Sequence, residues 1–164
     1  MTTKADFTEE EWTRLGRAPL VAGLAISLAD PGGPIEALKE SMASLKTIME
    51  AAQAGGHTEL VDAVAKDVAA QAKERKNPLA GFRPKGATAG QEVLDELREV
   101  NTIVTQKATP EEAAGFREYL LTAAQRSADA AKEGGFMGFG AELVSQGEQR
   151  MLGELRVTLG VPEV

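Results

Sequence analysis

The chain contains no cysteine, which excludes a disulfide framework and every thiolate-ligated metal site. Histidine is nearly absent too, because His57 stands alone. One imidazole cannot build the usual zinc sites. Nor can it supply the Glu-x-x-His pairs of di-iron carboxylate bundles, since Ala54 stands three residues before it. At a helix junction behind Gly55-Gly56, His57 reads as a solvated neighbour of a helix cap. No EF-hand run, nucleophile elbow or phosphate-cradling glycine loop occurs. The sequence therefore nominates no catalytic residue, no metal ligand and no cofactor. An enzyme would need carboxylate or lysine chemistry that spacing does not reveal, and a non-enzymatic protein is expected.

Aromatic residues make up only 4% of the chain, while alanine is abundant. Sheets favour aromatic and β-branched residues, whereas small side chains suit closely packed helices. Basic residues are also in deficit, leaving a net charge of −7. That balance disfavours generic nucleic-acid binding and adsorption to anionic membranes. A cytoplasmic protein is the expectation.

Long uncharged runs are represented by one stretch, Ala18–Ala29 (APLVAGLAISLA). Its 12 residues are too few to span a bilayer, which takes about 20. The segment before it carries Asp6, Glu9, Glu10 and Glu11 against Lys4, Arg14 and Arg17. A secretory leader would be clearly positive there. The stretch instead reads as a helix enclosed by others. Pro19 predicts either a kink or a break, with Pro19 as the first residue of a buried helix over about Pro19–Ala29. Within it Leu20, Leu24 and Leu28 share a face, and Gly23 and Ser27 offer a groove for a neighbouring backbone. Asp30-Pro31-Gly32-Gly33-Pro34 ends it.

The remaining segments read as amphipathic helices. Thr8 to Glu11 forms a capping box, with Phe7 and Trp12 placed as a hydrophobic staple. Ile35, Leu38, Met42, Leu45, Met49 and Ala52 are spaced 3, 4, 3, 4, 3, one predicted inward face closed by Gly55-Gly56. Thr58 is placed to cap a helix with Leu60, Val61, Val64, Val68 and Ala72 inward. Thr88 and Gln91 predict another capping box, ahead of Val93, Leu97, Val100 and Val104. Thr109-Pro110-Glu111-Glu112 opens a helix with Ala113, Phe116, Leu120, Ala123, Ser127 and Ala130 on one face. Ser145 and Glu148 cap a last helix with Met151, Leu152, Leu155 and Leu159 inward, and Gly160 ends it. The expected fold is all-α: one domain over residues 1–164, a compact bundle of six or seven helices.

Two stretches could carry interactions. The first is Gly135–Gly140 (GFMGFG), where Phe136, Met137 and Phe139 either plug one end of the bundle or form an exposed apolar finger. The second is a basic Pro/Gly linker at about 73–87, between two helical halves. Lys73, Arg75, Lys76, Arg83 and Lys85 face the single acid Glu74 there. It is either a solvated loop or a docking patch for a phosphate-bearing or acidic partner, with Phe82 as its one stacking ring.

Ala130–Gly160 (AAKEGGFMGFG…VSQGEQRMLGEL…LG) resembles the ending of small bacterial helical proteins. In those a Gly-Gly-Phe-x-Gly-x-Gly loop leads into a Val-Ser-x-x-Glu helix start. The arrangement is also loosely similar to TerB-like tellurite-resistance bundles, a resemblance that covers about a fifth of the chain and implies a helical bundle. The acidic metal cluster suggested for TerB-like domains has no position-by-position match here, so no functional residue is carried over. Binding to a protein partner or to a second copy is the expected function. The alternative is an apolar ligand or a peripheral membrane surface, met through Gly135–Gly140.

Overall fold

The computed structural model describes residues 2–29, 34–132 and 145–162, with residues 34–40 and 131–132 described by their backbone alone. Within these residues the chain is all-α. Its helices are α1 (Glu9–Ala29), α2 (Pro34–Ala54), α3 (Glu59–Lys73), α4 (Ala89–Lys107), α5 (Pro110–Lys132) and α6 (Gln146–Leu159).

The helix α1 begins where its capping box puts it. The Thr8 amide donates to Glu11 Oε2 at 2.7 Å, and the Glu11 amide donates to Thr8 Oγ1 at 3.1 Å. Phe7 and Trp12 pack with ring centroids 5.6 Å apart, completing the staple. The helix then runs unbroken through Pro19, so the buried helix starts at Glu9, ten residues before the expected boundary. An interior proline costs about 3 kcal/mol. Buried residues on both sides of it, Leu15 and Ala18 before and Val21 and Ala22 after, hold both arms in one core.

Every other helix packs against α1, most extensively α5, α4 and α2. The stretch is nevertheless not enclosed all round. Leu20 and Leu24 are half-buried and Leu28 is exposed, so the helix has an outer edge along that row.

The inward faces of α4, α5 and α6 follow their spacing. Val93, Leu97, Val100, Val104, Phe116, Leu120, Ser127, Leu155 and Leu159 are all buried. The capping boxes Thr109–Glu112 and Ser145–Glu148 both form. The Gly160 amide donates to Val157 O and the Val161 amide to Arg156 O, closing α6 with a left-handed glycine at φ 67°.

Two caps differ from expectation. Thr88 makes no cap hydrogen bond, because its hydroxyl reaches Lys85 O and Glu92 while Gln91 donates to Asp95. Thr58 occupies the N-cap position of α3, yet its side chain makes no cap hydrogen bond either.

The larger correction concerns α2. Its inward row is Ser44, Thr47, Ile48 and Ala51. Met42 is 60% and Leu45 37% exposed, so these members of the expected apolar stripe point outward. The reason lies at Gly23. A Cβ there would sit 2.1 Å from Ser44 Oγ and 2.8 Å from Ser127 Oγ. Helices α1, α2 and α5 approach too closely at this level for a leucine or methionine to face inward.

Candidate functional site

Two concavities lie along the seam between α2 and α5. The first, of about 880 Å³, is lined by Met42, Lys46, Glu50, Arg126 and Asp129. It borders the outward face of α2 on which Met42 and Leu45 stand. Two basic and two acidic side chains line it, so this patch is locally neutral on a chain of net charge −7.

The second, of about 470 Å³, opens where the α2–α3 junction meets α5, between Ala54, His57, Thr58, Gly115, Tyr119 and Thr122. Glu50 and Arg126 line both concavities and are ion-paired with each other, which makes that pair the partition. The Arg126 guanidinium beside Glu50 holds the carboxyl below its ordinary range. Arg126 also donates to Thr47 Oγ1 at 3.4 Å.

The walls of the second cleft carry an anomaly. Tyr119 is 5% exposed, and neither its hydroxyl nor that of Thr58 has a hydrogen-bond partner although both oxygens are buried. Asp62 Oδ1, one turn beyond Thr58 in α3, is likewise unpaired. Buried polar groups are overwhelmingly hydrogen-bonded, so two orphans on one cleft are a chemical signal. Thr58 is turned toward α5 rather than toward its own helix. A Cβ on Gly115 would lie 2.5 Å from Thr58 Cγ2, so only glycine lets the two walls meet. Burial pushes the Tyr119 phenol above the ordinary tyrosine range, leaving it a neutral donor.

Sequence reasoning assigned Thr58 to a cap and passed over Tyr119, which lies beside the predicted Phe116–Leu120 row. Glu50 and Arg126 are far apart in the chain, and no local pattern joins them.

The basic residues named from the sequence lie along one connection. Lys73 ends α3, and Lys73, Arg75, Lys76, Arg83 and Lys85 are all exposed. Lys76 pairs with Glu74 at 2.7 Å, which raises its pKa. Phe82 turns toward the core. It is half-buried against the core, and the Arg17 guanidinium lies 5.1 Å from its ring centroid. Phe136, Met137 and Phe139 lie outside the described residues.

Among the described residues no group of three or more His, Asp or Glu is placed to hold a metal ion, and no helix is long and apolar enough to cross a membrane. No protein-family model, curated protein or solved structure matches the chain.

Proposed function

We propose that this protein acts without catalysis, by helix-mediated association with a second copy of itself through the outward face of α2. The observation that supports the reading is the exposure of Met42 and Leu45, 60% and 37%, beside a groove that carries both signs of charge. Exposed apolar side chains rimmed by polar ones are what a protein–protein contact uses. The local neutrality favours a second copy in particular. Elsewhere two chains of charge −7 repel, whereas here the internally paired Glu50 and Arg126, together with Lys46 and Asp129, present no net charge to a second copy related by two-fold symmetry.

Sedimentation and light scattering across a concentration series up to roughly 200 µM test this, a range set by the weak end of protein–protein affinities. Concentration-dependent dimer is expected for the wild type. Met42→Glu/Leu45→Glu should abolish it, while Val157→Glu, on the exposed side of α6, should not. A monomeric wild type throughout the series, or a dimer indifferent to Met42 and Leu45, overturns the reading.

A further inference from the structure

The structure assigns a second binding site to the cleft between the α2–α3 junction and α5: we propose that it takes an uncharged, polyhydroxylated small molecule of monosaccharide size. The volume of about 470 Å³ falls in the range of small-molecule pockets. Two buried hydroxyls, Tyr119 Oη and Thr58 Oγ1, are unpartnered on its walls. Leaving a buried donor unmade is unfavourable, so these groups are set for something that enters.

The charge pattern selects the class of ligand. The buried polar atoms that line the cleft are neutral hydroxyls, burial keeps the Tyr119 phenol neutral, and the Asp62 carboxylate is not part of the lining. Arg126, the cation at the rim, is already engaged by Glu50. An anion or an ammonium at the floor would be stripped of water without a countercharge. A polyol carries no such penalty. Its hydroxyls both donate and accept, as Tyr119 and Thr58 require, and Glu118 and Arg126 at the rim add an acceptor and a donor. Thr58 forgoes its cap hydrogen bond to stand in this cleft, and Gly115 leaves it the room. The cleft shares the Glu50–Arg126 partition with the outward face of α2, but Tyr119 and Ala54 line the cleft alone and Met42 the other side alone, so variants at these positions test the two proposals independently.

Titration of the full chain with myo-inositol and with D-glucose, followed by amide nuclear magnetic resonance, tests the assignment. Saturable shifts at millimolar polyol are expected, confined to Gly55–Thr58 and Gly115–Thr122. Tyr119→Phe should weaken binding at least ten-fold while leaving the polyol-free melting temperature equal or higher, since it removes an unpaired buried hydroxyl. Ala54→Trp, at an exposed position on the cleft wall, should block binding in a folded protein. Three outcomes overturn the proposal: no saturable shift with either polyol, the same shifts produced instead by acetate or ethylammonium, or a Tyr119→Phe protein that melts several degrees lower.

Discussion

Ser44 and Ser127 hydrogen-bond to each other at 2.8 Å directly beneath the bare Cα of Gly23. Three helices meet at this point without a large side chain, and one serine hydroxyl donates to the other in a buried environment. Gly23→Ala should cost about 1–3 kcal/mol by forcing the serines apart, and Gly23→Leu should cost more. Chemical denaturation measures both. Ser44→Ala should recover part of the Gly23→Ala loss, because the two positions share one space.

Glu96 holds α4 to α1 through two guanidiniums. Arg14 and Arg17 each approach it at 2.6 Å, and Glu96 itself is buried. Arg17 also lies over Phe82, so the same cation fixes the basic connection to the core. Glu96→Gln should destabilise by about 2–3 kcal/mol, below the full cost of breaking a buried pair because both arginines retain some solvent. A thermal melt with Phe82→Ala as a second variant should show non-additive losses, since Arg17 belongs to both contacts.

Glu112 clasps the start of the chain to α5. Its carboxylate accepts from the Thr2 amide at 3.1 Å, from the Thr2 hydroxyl, and from the Thr109 amide and hydroxyl at 3.2 and 3.0 Å. Burial opposes its ionisation, but the hydrogen bonds from Thr2 and Thr109 outweigh that and hold its pKa at about 2, against 4.5 unperturbed. A depressed acid contributes stability above its unfolded pKa and loses it as pH falls through the folded one. Wild type should exceed Glu112→Gln by about 1–3 kcal/mol at pH 7. The gap should narrow steadily from about pH 4.5 to pH 2, as read from urea midpoints at each pH. A gap constant down to pH 2 would refute the ionised clasp.

Arg75 closes α3 in a left-handed conformation at φ 59°, with its amide on Ala72 O and the Lys76 amide on Gln71 O. That is the position a glycine takes at Gly160. Arg75→Gly should stabilise the protein by about 1 kcal/mol by removing the Cβ strain. An unchanged or lower midpoint would show that the arginine side chain compensates locally.

Local grammar was the legible part of this fold. Thr8–Glu11, Thr109–Glu112 and Ser145–Glu148 start helices in the structure because a capping box is satisfied within four residues, before any tertiary contact exists. Periodicity located the inward rows of α4, α5 and α6 because each has only one apolar side. It misread α2, where Met42 and Leu45 offer the better apolar stripe and Ser44, Thr47 and Ile48 the better fit. The choice was made by Gly23, on another helix. Pro19 misled for the same reason, since the packing that overrides it comes from distant segments. The cleft at Tyr119 was not legible. Its signal is an absence of partners, which becomes visible only when α2, α3 and α5 are side by side.

The centrality of α1 has a consequence for how this chain is made. Of the described helices α1 is made before the others, whereas α4 and α5, which cover most of it, follow only after α2 and α3. At about 5–20 residues per second, on the order of 5–20 s separate Ala29 from Lys132. Throughout that interval the nascent chain carries an apolar helix with no lasting shelter, in competition with every other sticky surface nearby. A ribosome stalled after α3 should therefore hold a collapsed, protease-sensitive chain and a bound chaperone rather than half of a folded protein.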